Sequence, residues 1–152
     1  MARLLVVHHT PSPAMHTMFT EAVAGAHDPA IVGVEVVVRP ALTASATDVL
    51  EADGYLLGTP ANLGYISGAL KHFFDQIYYP CLEATTGRPF GAYLHGDNDT
   101  TGAMRAIDAI TTGLSWRRAQ QYVTVAGPVD RSALTECREL GAALAAGLSL
   151  SL

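Results

Sequence analysis

The sequence predicts a three-layer α/β fold on a doubly wound, five-stranded parallel sheet of order 2-1-3-4-5. Three observations predict it. Strand-like and helix-like stretches alternate along the whole chain. The first strand-like run, Leu4 to Val7, is continuously apolar, as in a strand buried on both faces. The helix-like stretches repeat apolar residues at spacings of three and four, and right-handed crossovers leave few ways to join the pieces.

After the first strand, Met15, Met18, Phe19, Ala22, Val23 and Ala26 mark one face of a helix. Val34 to Val38 is the second strand, stopped by Pro40. A short helix follows over Asp48 to Ala52, capped by Thr47 or Asp48. Asp53-Gly54 breaks it, and Tyr55 to Gly58 is the third strand. Ser67 caps a helix through Leu70, Phe73, Phe74 and Ile77 that is expected to end before Pro80. Phe90 to His95 is the fourth strand, and Met104, Ile107, Ile110 and Leu114 mark the next helix. Tyr122 to Ala126 is the fifth strand. The last helix runs from about Ser132 to Leu148, with Leu134, Cys137, Gly141, Leu144 and Leu148 inward. No linker or repeat divides residues 1–152, so one domain is expected.

Of the 152 residues 49% are hydrophobic and 15% charged, which excludes a disordered chain. A net charge of -5, with basic residues scattered, excludes the basic face of a nucleic-acid protein. The apolar run after Met1-Ala2-Arg3 stops at His8-His9, too soon for an export signal. No apolar run approaches the roughly 20 residues that span a bilayer. Cys81 and Cys137 form no CxxC and read as a loop thiol and a core residue. A cytoplasmic setting is the expectation.

In a sheet of this order the chain reverses direction between the first and third strands, and a crevice opens at their carboxyl ends. Three loops border it. Thr10 to Thr17 carries the hydroxyls of Thr10, Ser12 and Thr17 and opens into a helix, whose N-terminal amides and dipole suit a phosphate. It holds no Lys or Arg. Thr59, Pro60, Ala61, Asn62, Leu63, Gly64 and Tyr65 carry no charge; Gly64 lets the backbone come close to a flat ligand, and Leu63 and Tyr65 offer packing surface. His95 to Gly102 forms the far wall, where Asp99 or Thr100 caps the next helix. Other motifs are absent: no G-x-G-x-x-G, no G-K-[S/T] and no G-x-S-x-G. His8 and His9 point to opposite faces of a strand and cannot chelate one ion together. Lys71 reads as solvated, and Tyr78-Tyr79 as packed on the sheet or on a partner.

The run from Ala52-Asp53-Gly54 through Gly58-Thr59-Pro60, Gly64 and Ser67-Gly68-Ala69-Leu70-Lys71-His72-Phe73-Phe74-Asp75 resembles the second FMN loop of the NAD(P)H-dependent FMN reductase and WrbA-like branch of the flavodoxin-like superfamily. The resemblance implies a flavodoxin-like fold and bound FMN. Thr10, Ser12, Ala14, Met15, His16 and Thr17 would surround its phosphate, Thr59 to Tyr65 would line its ring, and His95-Gly96 would touch the other side. It further implies hydride transfer from NAD(P)H to a quinone-like or other small acceptor, with no catalytic side chain beyond His95 as a proton donor. A homodimer is a further expectation. The loop Pro13-Ala14-Met15-His16-Thr17 departs from the usual Gly-Asn-Thr tip and is one residue longer. The rival readings are an electron carrier of the same fold, a receiver-like domain, which would want acidic residues where His8, His9 and Thr10 stand, and a cofactor-free domain used in protein contacts.

Overall fold

The computed structural model describes residues 1–151. Its strands are β1 (Ala2–His8), β2 (Val34–Pro40), β3 (Gly54–Asn62), β4 (Tyr65–Ile66), β5 (Pro89–Gly96), β6 (Arg117–Arg118) and β7 (Val123–Ala126). Its helices are α1 (Pro13–Ala26), α2 (Ala46–Glu51), α3 (Gly68–Cys81), α4 (Thr101–Gly113) and α5 (Arg131–Leu150). The sheet runs β2-β1-β3-β5, with β6 and β7 both pairing β5. All of these pairs are parallel; only β4, folded back on β3, is antiparallel.

The five expected strands are therefore β1, β2, β3, β5 and β7, in the expected order. Two short strands are additions. The outer strand is broken because residues 120–122 leave the sheet between β6, opposite Pro89 and Phe90, and β7, opposite Tyr93 to Gly96. Such an interruption blunts an exposed sheet edge.

The apolar run of β1 divides by the period of two. Leu4 and Val6 pack under α1 and α5 with Met15, Met18, Leu140 and Leu144. Leu5 and Val7 enter the opposite core with Val49 of α2, Phe73 of α3 and Ile107 of α4. Helices α1 and α5 meet closely because Gly141 has no side chain: a Cβ there would overlap the Ala22 carbonyl.

Several local expectations are corrected. Helix α2 starts at Ala46, capped by Ser45, and Asp48 closes a reciprocal capping box rather than serving as the cap. Helix α3 runs through Pro80 to Cys81, since a proline in the last turn forfeits a single hydrogen bond. Cys81 is buried rather than a loop thiol. Outside these corrections, Tyr78 packs against the core and over Gly113 of α4, and Tyr79 is 81% exposed. The C-terminal end of α2 is held by Arg88, whose guanidinium donates to the carbonyls of Val49, Leu50 and Ala52 at 3.1, 2.9 and 2.7 Å.

Candidate functional site

The crevice opens where the strand order reverses, at the carboxyl ends of β1, β3 and β5. Its central wall differs from the open loop expected after Gly58. Strand β3 continues to Asn62, turns at Leu63-Gly64 and returns as β4, pairing Asn62 with Tyr65 and Ala61 with Ile66. Leu63 and Gly64 both have positive φ, 50° and 76°, the mark of a two-residue type I′ hairpin turn. Thr59 closes the base of this hairpin: it is fully buried, its hydroxyl donates to the Pro60 carbonyl at 2.9 Å and accepts the Ser67 amide at 3.1 Å. That closure turns a neutral stretch into a rigid finger, with Leu63 fully exposed at its tip.

Two adjoining recesses share Ala61, Asn62 and Asp97. The smaller, about 260 Å³, lies between Pro11 to Ala14 at the start of α1, Pro60 to Asn62, and His95 to Asp97. The larger, about 670 Å³, is a slot between Ala61 to Gly64 of the hairpin and Asp97 to Asp99, floored by Gly102 and Ala103 of α4. Both volumes lie at or near the range of small-molecule sites.

Of the residues singled out from sequence, Ser12, Ala14, Pro60, Ala61, Asn62, His95 and Gly96 meet in the smaller recess, and Leu63 and Gly64 join the larger. The others stand elsewhere. Thr10 holds His8, Oγ1 to Nδ1 at 2.7 Å. Met15 is buried in the core under α1. His16 and Thr17 are exposed, and the Thr17 hydroxyl donates to the Ala14 carbonyl at 2.9 Å. Tyr65 sits on the returning hairpin strand, 40% exposed. Pro11, Pro13, Asp97, Asn98, Asp99, Gly102 and Ala103 complete the lining, and sequence reading had not chosen them. Asp97 and Asp99 carried a usable signal, since they fall in the loop expected to form the far wall.

Ser12 caps α1, its hydroxyl accepting the Met15 amide at 3.2 Å. Pro11 and Pro13 have no amide hydrogen, so the first turn of α1 presents the Ala14 N–H and its dipole to the recess. On the far wall Asp99 accepts the hydroxyl and amide of Thr101 at 2.8 and 3.1 Å, which holds its carboxyl below the ordinary range. No Lys or Arg lines either recess. His95 Nε2 lies 2.7 Å from the Gly127 carbonyl, a pairing that requires Nε2 to carry the hydrogen. At the end of β1, the His8 ring packs on Phe19 at 4.2 Å, and burial lowers its pKa. The Nδ1 of His9 is buried without a hydrogen-bond partner among the described residues. Among the described residues, no group of three His, Cys, Asp or Glu side chains is placed to hold a metal ion. No helix among them is long and apolar enough to cross a membrane.

No profile of a known protein family matches the chain. It is 34% identical over 77 residues to a flavodoxin of Aquifex aeolicus (strain VF5), a stretch covering 51% of this chain and 40% of that protein. Among solved structures it superposes on the flavodoxin of Streptococcus pneumoniae TIGR4 with a TM-score of 0.80 at 19% identity, covering 96% of this chain and 99% of that one. A flavodoxin, WrbA-like protein of Agrobacterium tumefaciens gives a TM-score of 0.77 at 15% identity, with 99% of each chain covered. Strand order, helix placement and these superpositions together establish that the chain has the flavodoxin-like fold.

Proposed function

We propose that the crevice binds FMN and that the protein is a redox flavoprotein. One observation carries the reading: Leu63 stands fully exposed, at a positive φ unfavourable for its side chain, on the edge of a slot of about 670 Å³. A large apolar side chain held in water on the uncharged hairpin wall of this slot suits a flat aromatic ligand that covers it. The residues present fit the group. Asn62, Leu63, Gly64 and Asp97 to Asp99 would flank the ring, and Ser12 and Ala14 would receive the phosphate at the positive end of α1.

When bound, FMN supplies the redox chemistry itself. The chain binds, orients and tunes. The start of α1 draws the phosphate through its dipole and the Ala14 N–H rather than a basic side chain. The hairpin, closed by Thr59, excludes water from one side of the slot. Asp97 and Asp99 place negative charge beside it and oppose any gain of negative charge there.

The acidic rim favours one use of this site, an electron carrier that meets a redox partner at the crevice mouth. The second reading is turnover with NAD(P)H and a quinone-like acceptor, supported by the resemblance of residues 52–75 to reductases. It lacks a Lys or Arg among the lining residues to receive the dinucleotide's pyrophosphate. Titrating the purified protein with FMN tests the shared reading; oxidation of NADH or NADPH by the loaded protein, with a quinone added, separates the two uses. Turnover of at least ~1 per second would select the reductase.

A further inference from the structure

The geometry points to Gly102, in the first turn of α4, as the residue that positions the hairpin and thereby sets the width of the slot; its meaning for flavin binding rests on the reading above. The Gly64 carbonyl oxygen lies where a Cβ of Gly102 would be, and the carbonyl carbon and Cα of Gly64 also crowd that point. The obstructing atoms are backbone, so they cannot rotate aside as the end of a side chain would. At the other end, the hairpin is fixed by the two hydrogen bonds of the buried Thr59 hydroxyl. The hairpin is therefore clamped at its base by a side chain and at its tip by the lack of one.

Strain and contact act together at the tip. Leu63 is held at φ 50° and Gly64 at φ 76° while the Gly64 carbonyl is seated on α4. Gly102 also lines the slot floor, between the hairpin and Asp97 to Asp99. A methyl group at Gly102 must drive the Gly64 carbonyl outward by roughly 1 Å or more to reach van der Waals contact. The hairpin wall moves away from the aspartate wall, and the slot widens. Helix α4 has no local reason to suffer, because alanine is a better helix former than glycine.

The test compares Gly102→Ala with Gly68→Ala, which adds a Cβ that meets nothing within 4 Å among the described residues beyond its chain neighbours and its own helix backbone. In the FMN-free protein, amide chemical shifts and hydrogen exchange of Leu63, Gly64 and Tyr65 should change in Gly102→Ala and stay as in the parent in Gly68→Ala. In FMN titrations followed by flavin fluorescence, Gly102→Ala should weaken binding at least tenfold and shift the visible absorption of the bound flavin, and Gly68→Ala should do neither. Unchanged hairpin amides in a folded Gly102→Ala protein would overturn the proposal whatever FMN does. Changed amides with unaltered FMN affinity and spectrum would overturn the role of the hairpin as a ligand wall. Failure of the parent protein itself to bind FMN would instead sink the flavin reading, with the amide comparison still deciding whether Gly102 positions the hairpin.

Discussion

His95 Nε2 donates to the Gly127 carbonyl at 2.7 Å, while the Gly127 amide donates to the Gly96 carbonyl at 2.8 Å. The two bonds run in opposite directions between the end of β5 and the loop leading to α5, and the first requires a hydrogen on Nε2. His95 is thereby fixed in orientation at the smaller recess. Replacing it with glutamine keeps an N–H donor; replacing it with phenylalanine removes the donor and leaves the Gly127 carbonyl without this partner. His95→Phe is expected to lose about 1 kcal/mol of stability and His95→Gln about half that. Urea denaturation of both variants checks the order, and equal losses would show that the bond to Gly127 contributes nothing.

Tyr93 is fully buried, and its hydroxyl has no hydrogen-bond partner among the described residues. A buried polar group left unpaired opposes folding, so Tyr93→Phe should leave stability at pH 7 unchanged or raise it by up to about 1 kcal/mol. A loss of more than ~1 kcal/mol would mean that the hydroxyl is paired.

Alkaline pH offers a separate measurement. Burial pushes the Tyr55 phenol up to about 12, despite the nearby Arg88 guanidinium, and burial raises Tyr93 as well. A phenol with a raised pKa keeps its proton longer in the folded state. Its contribution is whole below the unfolded value of about 10 and falls as the pH climbs through the folded value. Stability should therefore decline above about pH 10, and Tyr93→Phe should make the decline shallower. Denaturation midpoints from pH 8 to 11.5 test this; identical slopes for parent and variant would contradict it.

Gly141 lets α5 lie against the Ala22 carbonyl of α1. Gly141→Ala should force the helices apart and lose about 2–3 kcal/mol, even though alanine favours the helix. The crevice loops lie at the strand ends, so FMN affinity of the folded variant should stay within about twofold of the parent. A stability equal to that of the parent would show that the helix contact is not tight.

The layering was legible because burial writes it into the chain. Leu4 to Val7 could only suit a strand covered on both sides, and Met15, Met18 and Ala22 could only face one way. What escaped depends on contacts far apart in sequence. Arg88 meets the carbonyl of Val49 across 39 positions, and nothing local marks it as the residue that closes α2. The hairpin escaped because Leu63-Gly64 lacks the usual Asn-Gly or Asp-Gly turn signal, and because Thr59 acts through Ser67, eight residues on. At the site, residue types such as Thr10 and Thr17 suggested donors to a ligand, yet their hydroxyls are engaged by His8 and Ala14. Asp99 was overlooked because a loop carboxylate before a helix reads first as a cap.

The central claim is that the slot beside Leu63 holds FMN, and a fluorescence titration of FMN with the purified, cofactor-stripped protein tests it most directly. The expected result is saturable quenching at a 1:1 ratio with a dissociation constant of about 1 μM or tighter, weakened at least tenfold in Leu63→Asp, which sets a charge where the ring would lie. No quenching with protein at ~100 μM, or equal affinity in Leu63→Asp, would contradict it.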